Sequence, residues 1–355
     1  MKKSINKKIT IITTIIISVG ILYGCSAKVT PENKDELNHD NEVSINKVFK
    51  NVDKISAWVT YWDPKVENEV LKLNYQLNEL CYFAAHYDEN GKLIVPEELN
   101  KIYNEVGNDN YISYLSVVND VIYHDGTSSL KDITLVSNIL DNNETRSKEI
   151  NNIINLALKY NFQGIEIDYE QMGKNLDLWN KFILFIDELN IKALENNLKL
   201  RIVLEPNTPF ESLEFHKGPT YVMMCYNLHG GFSEPGEKTN SNFIKELIDK
   251  MSNVPGKKNF AIPSGGIDWA SNGKVKSITE VEAKSIAREY DSKERRDEES
   301  NCLVYTYLDG DGISHEVWYA DVDTLDSWFK IISDNGYEAS LWRLGHNLFE
   351  IDPSQ

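Results

Sequence analysis

Eight short runs rich in β-branched and aromatic residues, separated mostly by stretches of helical periodicity, predict a parallel α/β fold. Eight repeats in a chain of 355 residues favour a (β/α)8 TIM barrel. A third observation agrees: polar and aromatic residues gather at the C-terminal ends of these runs, where such barrels build their sites.

The chain opens on a targeting segment. Lys2, Lys3, Lys7 and Lys8 form a positive n-region, and the apolar run 9–22 is too short to span a bilayer comfortably. It ends Leu22-Tyr23-Gly24-Cys25, which resembles the lipobox of bacterial lipoproteins, where cleavage precedes a cysteine that carries lipid. Residues 1–24 therefore read as a lipoprotein signal peptide. Residues 25–53 read as the lipidated Cys25 and a tether, because 32–46 is polar, charged and without periodicity. The expected location is extracytoplasmic, lipid-anchored to the bacterial cell membrane. Residues 54–355 read as one domain, since no second Pro/Gly/Ser-rich linker interrupts them.

Within that domain the predicted strands are 55–62, 79–85, 111–118, 164–169, 199–205, 220–226, 259–263 and 338–344. Helical patterns fall at 66–74, 97–106, 145–160, 176–196, 242–252 and 323–335. The clearest is the stripe Leu178, Phe182, Phe185, Ile186 and Leu189. The seventh and eighth strands are far apart in sequence. A helix at 281–290 and a hairpin over 302–309 and 313–319 predict a small α+β insertion between them, at about 271–320. Asp309-Gly310-Asp311-Gly312 reads as the hairpin's turn rather than a calcium loop. A full eighth helix after 344 is not expected.

The net charge is −18, and loss of the four signal lysines makes the exported part more acidic still. Such a chain is a poor nucleic-acid binder and is not steered towards polyanions; a neutral or locally neutral substrate fits its charge better. Cys81 and Cys225 lie in apolar runs and read as small buried hydrophobes, not as a disulfide framework. No HExxH, CxxC pair, GxGxxG or phosphate loop is present, so no cofactor and no metal are expected, and the chain is expected to be a monomer.

The most informative stretch is 162–170. Glu166, Asp168 and Glu170 recur at every second position, with Ile165, Ile167 and Tyr169 on the other face. An extended strand turns the three carboxylates to one side. Buried carboxylates cost several kcal/mol each when unpaired, and neighbours repel, so at least one keeps its proton near neutral pH. That is the state a general acid needs. Tyr61, Trp62, His86, Asn119, Asp120, Glu205, Asn207, Tyr226, Asn227, Trp269 and Trp342 fall at the same ends of other predicted strands.

These residues carry a resemblance to glycoside hydrolase family 18, whose fourth-strand signature is D-G-x-D-x-D-x-E. Here the aligned residues are Gln163, Gly164, Glu166, Asp168 and Glu170; the last two match, while Gln163 and Glu166 depart from the pattern. Met224-Cys225-Tyr226-Asn227 is similar to the family's sixth-strand segment, and Trp342 to its eighth-strand tryptophan. The segments 315–319 and 340–345 resemble the branch of spore-cortex and peptidoglycan N-acetylglucosaminidases. The resemblance implies substrate-assisted retention, outside the two-carboxylate scheme. In it Glu170 protonates the glycosidic oxygen, Asp168 orients the substrate acetamido group, Tyr226 hydrogen-bonds the acetamido oxygen, and Trp342 stacks under the −1 sugar. Glu166, Asn227, Tyr61 and Trp269 join Trp342 as substrate-binding candidates. The implied partner is an N-acetylglucosamine glycan, chitin-like or peptidoglycan. Two other readings stand beside it: a non-catalytic carbohydrate-binding lipoprotein on the same barrel, and a glycosidase pairing Glu170 with Glu205.

Overall fold

The computed structural model describes residues 47–349 except 64, 108 and 109. The signal segment, Cys25 and the tether to residue 46 lie outside the described residues. Eight parallel strands close on themselves: Ile55–Thr60, Leu77–Asp88, Ile112–Ile122, Gly164–Asp168, Lys199–Leu204, Thr220–Met224, Lys257–Pro263 and Glu338–Trp342. The first strand pairs with both the second and the eighth, with Ala57 opposite Leu80 on one side and Leu341 on the other. Closure removes the barrel's free edges, and parallel strands need crossovers, which helices on the outside provide.

Period-2 alternation divides the core in two. Ala57, Val59, Leu115, Val117, Ile165, Ile167, Leu200 and Ile202 face outward and join the large cluster under the helices. Trp58, Cys81, Tyr114, Val118, Val203, Val222, Met224 and Ala261 fill the lumen as a separate cluster. The expected stripe on Leu176–Glu195 is buried in full, and the Tyr169 ring lies against Phe182 and Phe185 at centroid distances of 5.9 and 6.1 Å. Burying each such side chain stabilises by roughly 1.5–3 kcal/mol relative to exposure. Asn142 opens Asn143–Lys159 with a capping box completed by Thr145, and Asn175 caps Leu176–Glu195 through Leu178 N.

Three features differ from the sequence reading. The packed domain begins before residue 54: Val48, Phe49 and Val52 are buried, and the Gln76 side chain bonds the backbone of all three. A helix absent from the reading, Ile133–Leu140, follows the third strand, with the Asp132 side chain accepting from Leu135 N. Its sequence, ITLVSNIL, is rich in β-branched residues and only 8 residues long, so propensity and length both pointed away from a helix.

The insertion also starts earlier than 271. Gly265–Ala270 leaves the barrel directly after the seventh strand and pairs antiparallel with Val275–Ile278 and Ser314–Ala320. A five-stranded sheet results, with the helix Glu280–Glu289 packed on it through Ala283 and Ala287. Gly265 has φ +62°, and a Cβ there or on Gly266 would collide with the carbonyls of Ile278 or Trp318. Glycine is what lets the chain make this exit. Trp269, assigned from sequence to the end of the seventh strand, therefore sits on the insertion sheet.

Candidate active site

The inward positions of the strands build a polar layer below the barrel mouth. Arg201, fully buried on the fifth strand, is at its centre. Its Nε donates to Glu166 Oε2 at 2.8 Å, its guanidinium also pairs with Glu79, and Nη1 and Nη2 reach the Ser56 and Ser340 hydroxyls at 3.1 and 3.3 Å. The rings of Trp58 and Tyr114 each lie 5.5 Å from it. Glu166 accepts three further bonds, from Trp58 Nε1 at 2.6 Å, Ser116 Oγ at 2.7 Å and Cys81 Sγ at 3.5 Å. Burial pushes the Glu79 carboxyl up, but the Arg201 charge with Ser56 and Tyr114 outweighs this and holds it below the usual carboxylate range. One guanidinium thus compensates two carboxylates, and both Glu166 oxygens are taken up in this layer.

Arg201 was not singled out from the sequence, although the signal was present. It alternates with Leu200 and Ile202 in an apolar run, so period 2 places it on the same inward face as Val203. Glu79 carried the same signal in the second strand.

Above this layer stands Asp168, the last residue of the fourth strand. Its Oδ1 is buried with no hydrogen-bond partner among the described residues. Burial pushes its pKa up to about 7; the Lys131 charge pulls against that shift, and Glu166, Glu205 and Asp120 add to it. Of the three carboxylates crowded on one face, at least one keeps a proton near neutrality, and Asp168 is such a group. Tyr226, just past the sixth strand, is buried beside it; its phenol is pushed up by burial first and then by the charges of Asp168 and Glu166.

Glu170 lies just beyond the fourth strand. Its amide donates to Asn119 Oδ1 at 3.0 Å and its carbonyl accepts from Asn119 Nδ2 at 3.1 Å, so one side chain fixes its backbone from both sides. The Glu170 carboxylate pairs with Lys131. Lys131 is a loop residue with no periodic or motif signal, and nothing in the sequence marked it. Glu205 accepts from Gln171 N at 2.7 Å, and burial raises its pKa.

Aromatic side chains wall the mouth. Trp342, half-buried, meets Phe83 and Trp58 edge-on at centroid distances of 4.8 and 5.7 Å. Trp62, 51% exposed, touches both Tyr61 and Phe83. Trp269 is buried and donates to Gly230 O at 3.2 Å, and Asn227 is exposed with φ 74°. The structure thus brings Asp168, Glu170, Tyr226, Tyr61 and Trp342 to the carboxyl end of the barrel. Glu166 it turns into the layer beneath, and Trp269 it moves to the insertion.

A closed barrel with acidic residues and an aromatic wall at its carboxyl mouth has the make-up of a glycosidase. The profile of the glycosyl hydrolases family 18 matches residues 57–346, and the chain belongs to that family. The cortical fragment-lytic enzyme of Bacillus anthracis is 27% identical over 299 residues, covering 78% of this chain and 67% of that protein. The crystal structure of the Bacillus cereus spore cortex-lytic enzyme SleL superposes with a TM-score of 0.70 at 23% identity, over 83% of this chain and 72% of that one. A chitinase from Chromobacterium violaceum gives a TM-score of 0.70 at 19% identity, over 83% of this chain and 95% of that one. At these identities the two structural likenesses speak for the fold.

Proposed function

We propose that this chain is an extracytoplasmic, membrane-tethered glycosidase that cleaves β-linked N-acetylglucosamine glycans, chitin-like or peptidoglycan, by substrate-assisted retaining catalysis. The observation that carries the reading is the division of labour around the fourth strand. Glu166 is engaged in the layer below, Asp168 is buried with a free oxygen, and Glu170 stands at the mouth on a fixed backbone.

In this mechanism Glu170 gives its proton to the glycosidic oxygen as the bond to the leaving sugar breaks. The substrate's acetamido oxygen closes on the anomeric carbon and forms an oxazolinium ion. Asp168 accepts the acetamido N–H through the oxygen that lacks a partner among the described residues and, in its ionised form, stabilises the developing cation. Tyr226 holds the acetamido oxygen in line, and Trp342 supplies the apolar floor for the −1 ring. Glu170 then takes a proton from water as that water opens the oxazolinium with net retention. No protein nucleophile is required, which leaves Glu205 outside the chemistry.

Digesting purified peptidoglycan and chitin oligomers side by side, with mass analysis of the products, tests the substrate class. Inhibition by an N-acetylglucosamine thiazoline and inertness towards cellotetraose are the expected signs of acetamido participation. Comparable cleavage of cellotetraose, or a stable glycosyl adduct on Glu205, would overturn the mechanism in favour of two protein carboxylates.

A further inference from the structure

Lys131 places an ammonium on the carboxylate that the proposed mechanism requires to be protonated. It pairs with Glu170 directly and acts electrostatically on Asp168 and Glu205 as well. In a chain of net charge −18, a cation at this point is not part of a general background. Nor is its position that of a loose surface lysine. Its backbone is left-handed, with φ 57°, and its amide donates to Asp120 Oδ1 at 2.7 Å. The next amide, Asp132 N, donates to Asn119 O at 2.8 Å, and the Asp132 side chain caps the helix Ile133–Leu140. Asn119 is the residue that clamps the Glu170 backbone, so the lysine and the acid hang from one anchor.

Its direction of approach is also defined. Lys131 follows the third strand, the neighbour of the fourth in the barrel. Trp342 ends the eighth strand, which pairs with the first and seventh and so lies across the mouth. In the proposed mechanism Glu170 faces the scissile oxygen, so a cation on its carboxylate stands beside the bond to the departing sugar.

Resting on the reading given above, we infer that Lys131 is a specificity residue that receives a carboxylate borne by the leaving (+1) sugar. The substrate class is then an acidic glycan, such as one whose +1 residue carries a lactyl ether, and not a neutral chitin-like chain. In the free enzyme the ammonium competes with the proton that Glu170 must carry. A substrate carboxylate draws the ammonium away, Glu170 takes a proton from solvent, and the acid becomes able to donate. A neutral substrate leaves the ion pair in place.

The test uses one tetrasaccharide of alternating N-acetylglucosamine and N-acetylmuramic acid, together with the same molecule after its lactyl carboxylates are reduced to alcohols. Wild-type kcat/KM is expected to favour the acidic form. Lys131→Gln is expected to lower it on the acidic form by about ten- to a hundredfold, the scale of one charge-assisted hydrogen bond, and to raise it on the neutral form. Lys131→Arg, which keeps the charge, is expected to restore the preference. Equal losses on both substrates in a Lys131→Gln protein with wild-type melting behaviour would show a merely structural ion pair and overturn the inference. Cleavage of both with an unchanged ratio would leave the glycosidase reading standing and overturn only the role of Lys131. Wild-type enzyme inert on both would overturn the proposed substrate chemistry, and the inference with it.

Discussion

Asp168 and Glu170 are two positions apart, yet their surroundings differ sharply. Glu170 is at the mouth with its backbone clamped by Asn119, whereas Asp168 is enclosed and has an oxygen without a partner. Glu170→Gln keeps the size of the side chain but cannot donate the proton, so turnover should fall by about 10²–10⁴-fold while glycan binding persists. Near-wild-type turnover in that variant would remove Glu170 from the role of acid. Asp168 makes a separate prediction, about stability. Its folded pKa stands near 7 against an ordinary 3.8, so between those values the unfolded chain has lost a proton that the folded one keeps. Stability therefore declines as pH rises from about 4 to 7 and then levels off, by up to about 4 kcal/mol for this group. Asp168→Asn never ionises. It should match the wild-type melting temperature near pH 4, exceed it by several degrees at pH 8, and be inactive throughout. Coincident melting curves at pH 8 would mean that burial does not hold this carboxylate neutral. The spacing of Glu166, Asp168 and Glu170 was legible in the sequence as a shared face. Which of them is compensated was not, because Arg201 and Lys131 reach them through space, from another strand and from a loop.

The fourth strand tolerates Glu166 only because the fifth delivers Arg201 beside it. Their pairing follows from register: Glu166 lies opposite Arg201 in the parallel ladder, and both point into the lumen. Ser56 from the first strand, Glu79 from the second and Ser340 from the eighth complete the layer around one guanidinium. Removing it leaves two buried carboxylates without a counter-charge. Arg201→Met should therefore cost about 3–5 kcal/mol of folding stability, the range for breaking a buried ion pair from one side. Adding Glu79→Gln and Glu166→Gln to the same chain should recover much of that loss, since the uncompensated charges go with them. Urea unfolding of the single and triple variants measures both effects, and a triple variant no more stable than the single one would show that packing, not charge, is what Arg201 supplies. This layer could have been read from the charged residues inside apolar runs at inward parity. The helix Ile133–Leu140 could not, because its β-branched composition argues for a strand and its position depends on the Asp132 cap and on packing against the helices that follow.

For the whole chain, alternation of apolar runs with helical stripes was enough to place the eight barrel strands and most of the helices around them, because barrel strands and amphipathic helices each leave a local period. The boundaries that escaped were set by contacts between distant segments. Residues 47–53 look like tether by composition, yet Gln76 binds their backbone and Phe49 packs against Phe329 at a centroid distance of 4.8 Å. The packed domain therefore begins before residue 54. That bears on how the enzyme meets its substrate. If Cys25 carries lipid, the anchor lies on the N-terminal side of this boundary and keeps the barrel at the membrane. Cleavage would then be confined to glycan lying close to the membrane surface. Cys25→Ser should abolish lipidation and move the protein from the membrane fraction to the medium or to an uncleaved precursor, while leaving the purified barrel as active on soluble oligosaccharides as before. A single acyl chain anchors only marginally and two or more hold stably, so the shift should be nearly complete if the anchor is of the multiply acylated kind. A Cys25→Ser protein that is cleaved normally and still sediments with membranes would mean that something other than this cysteine holds the barrel there.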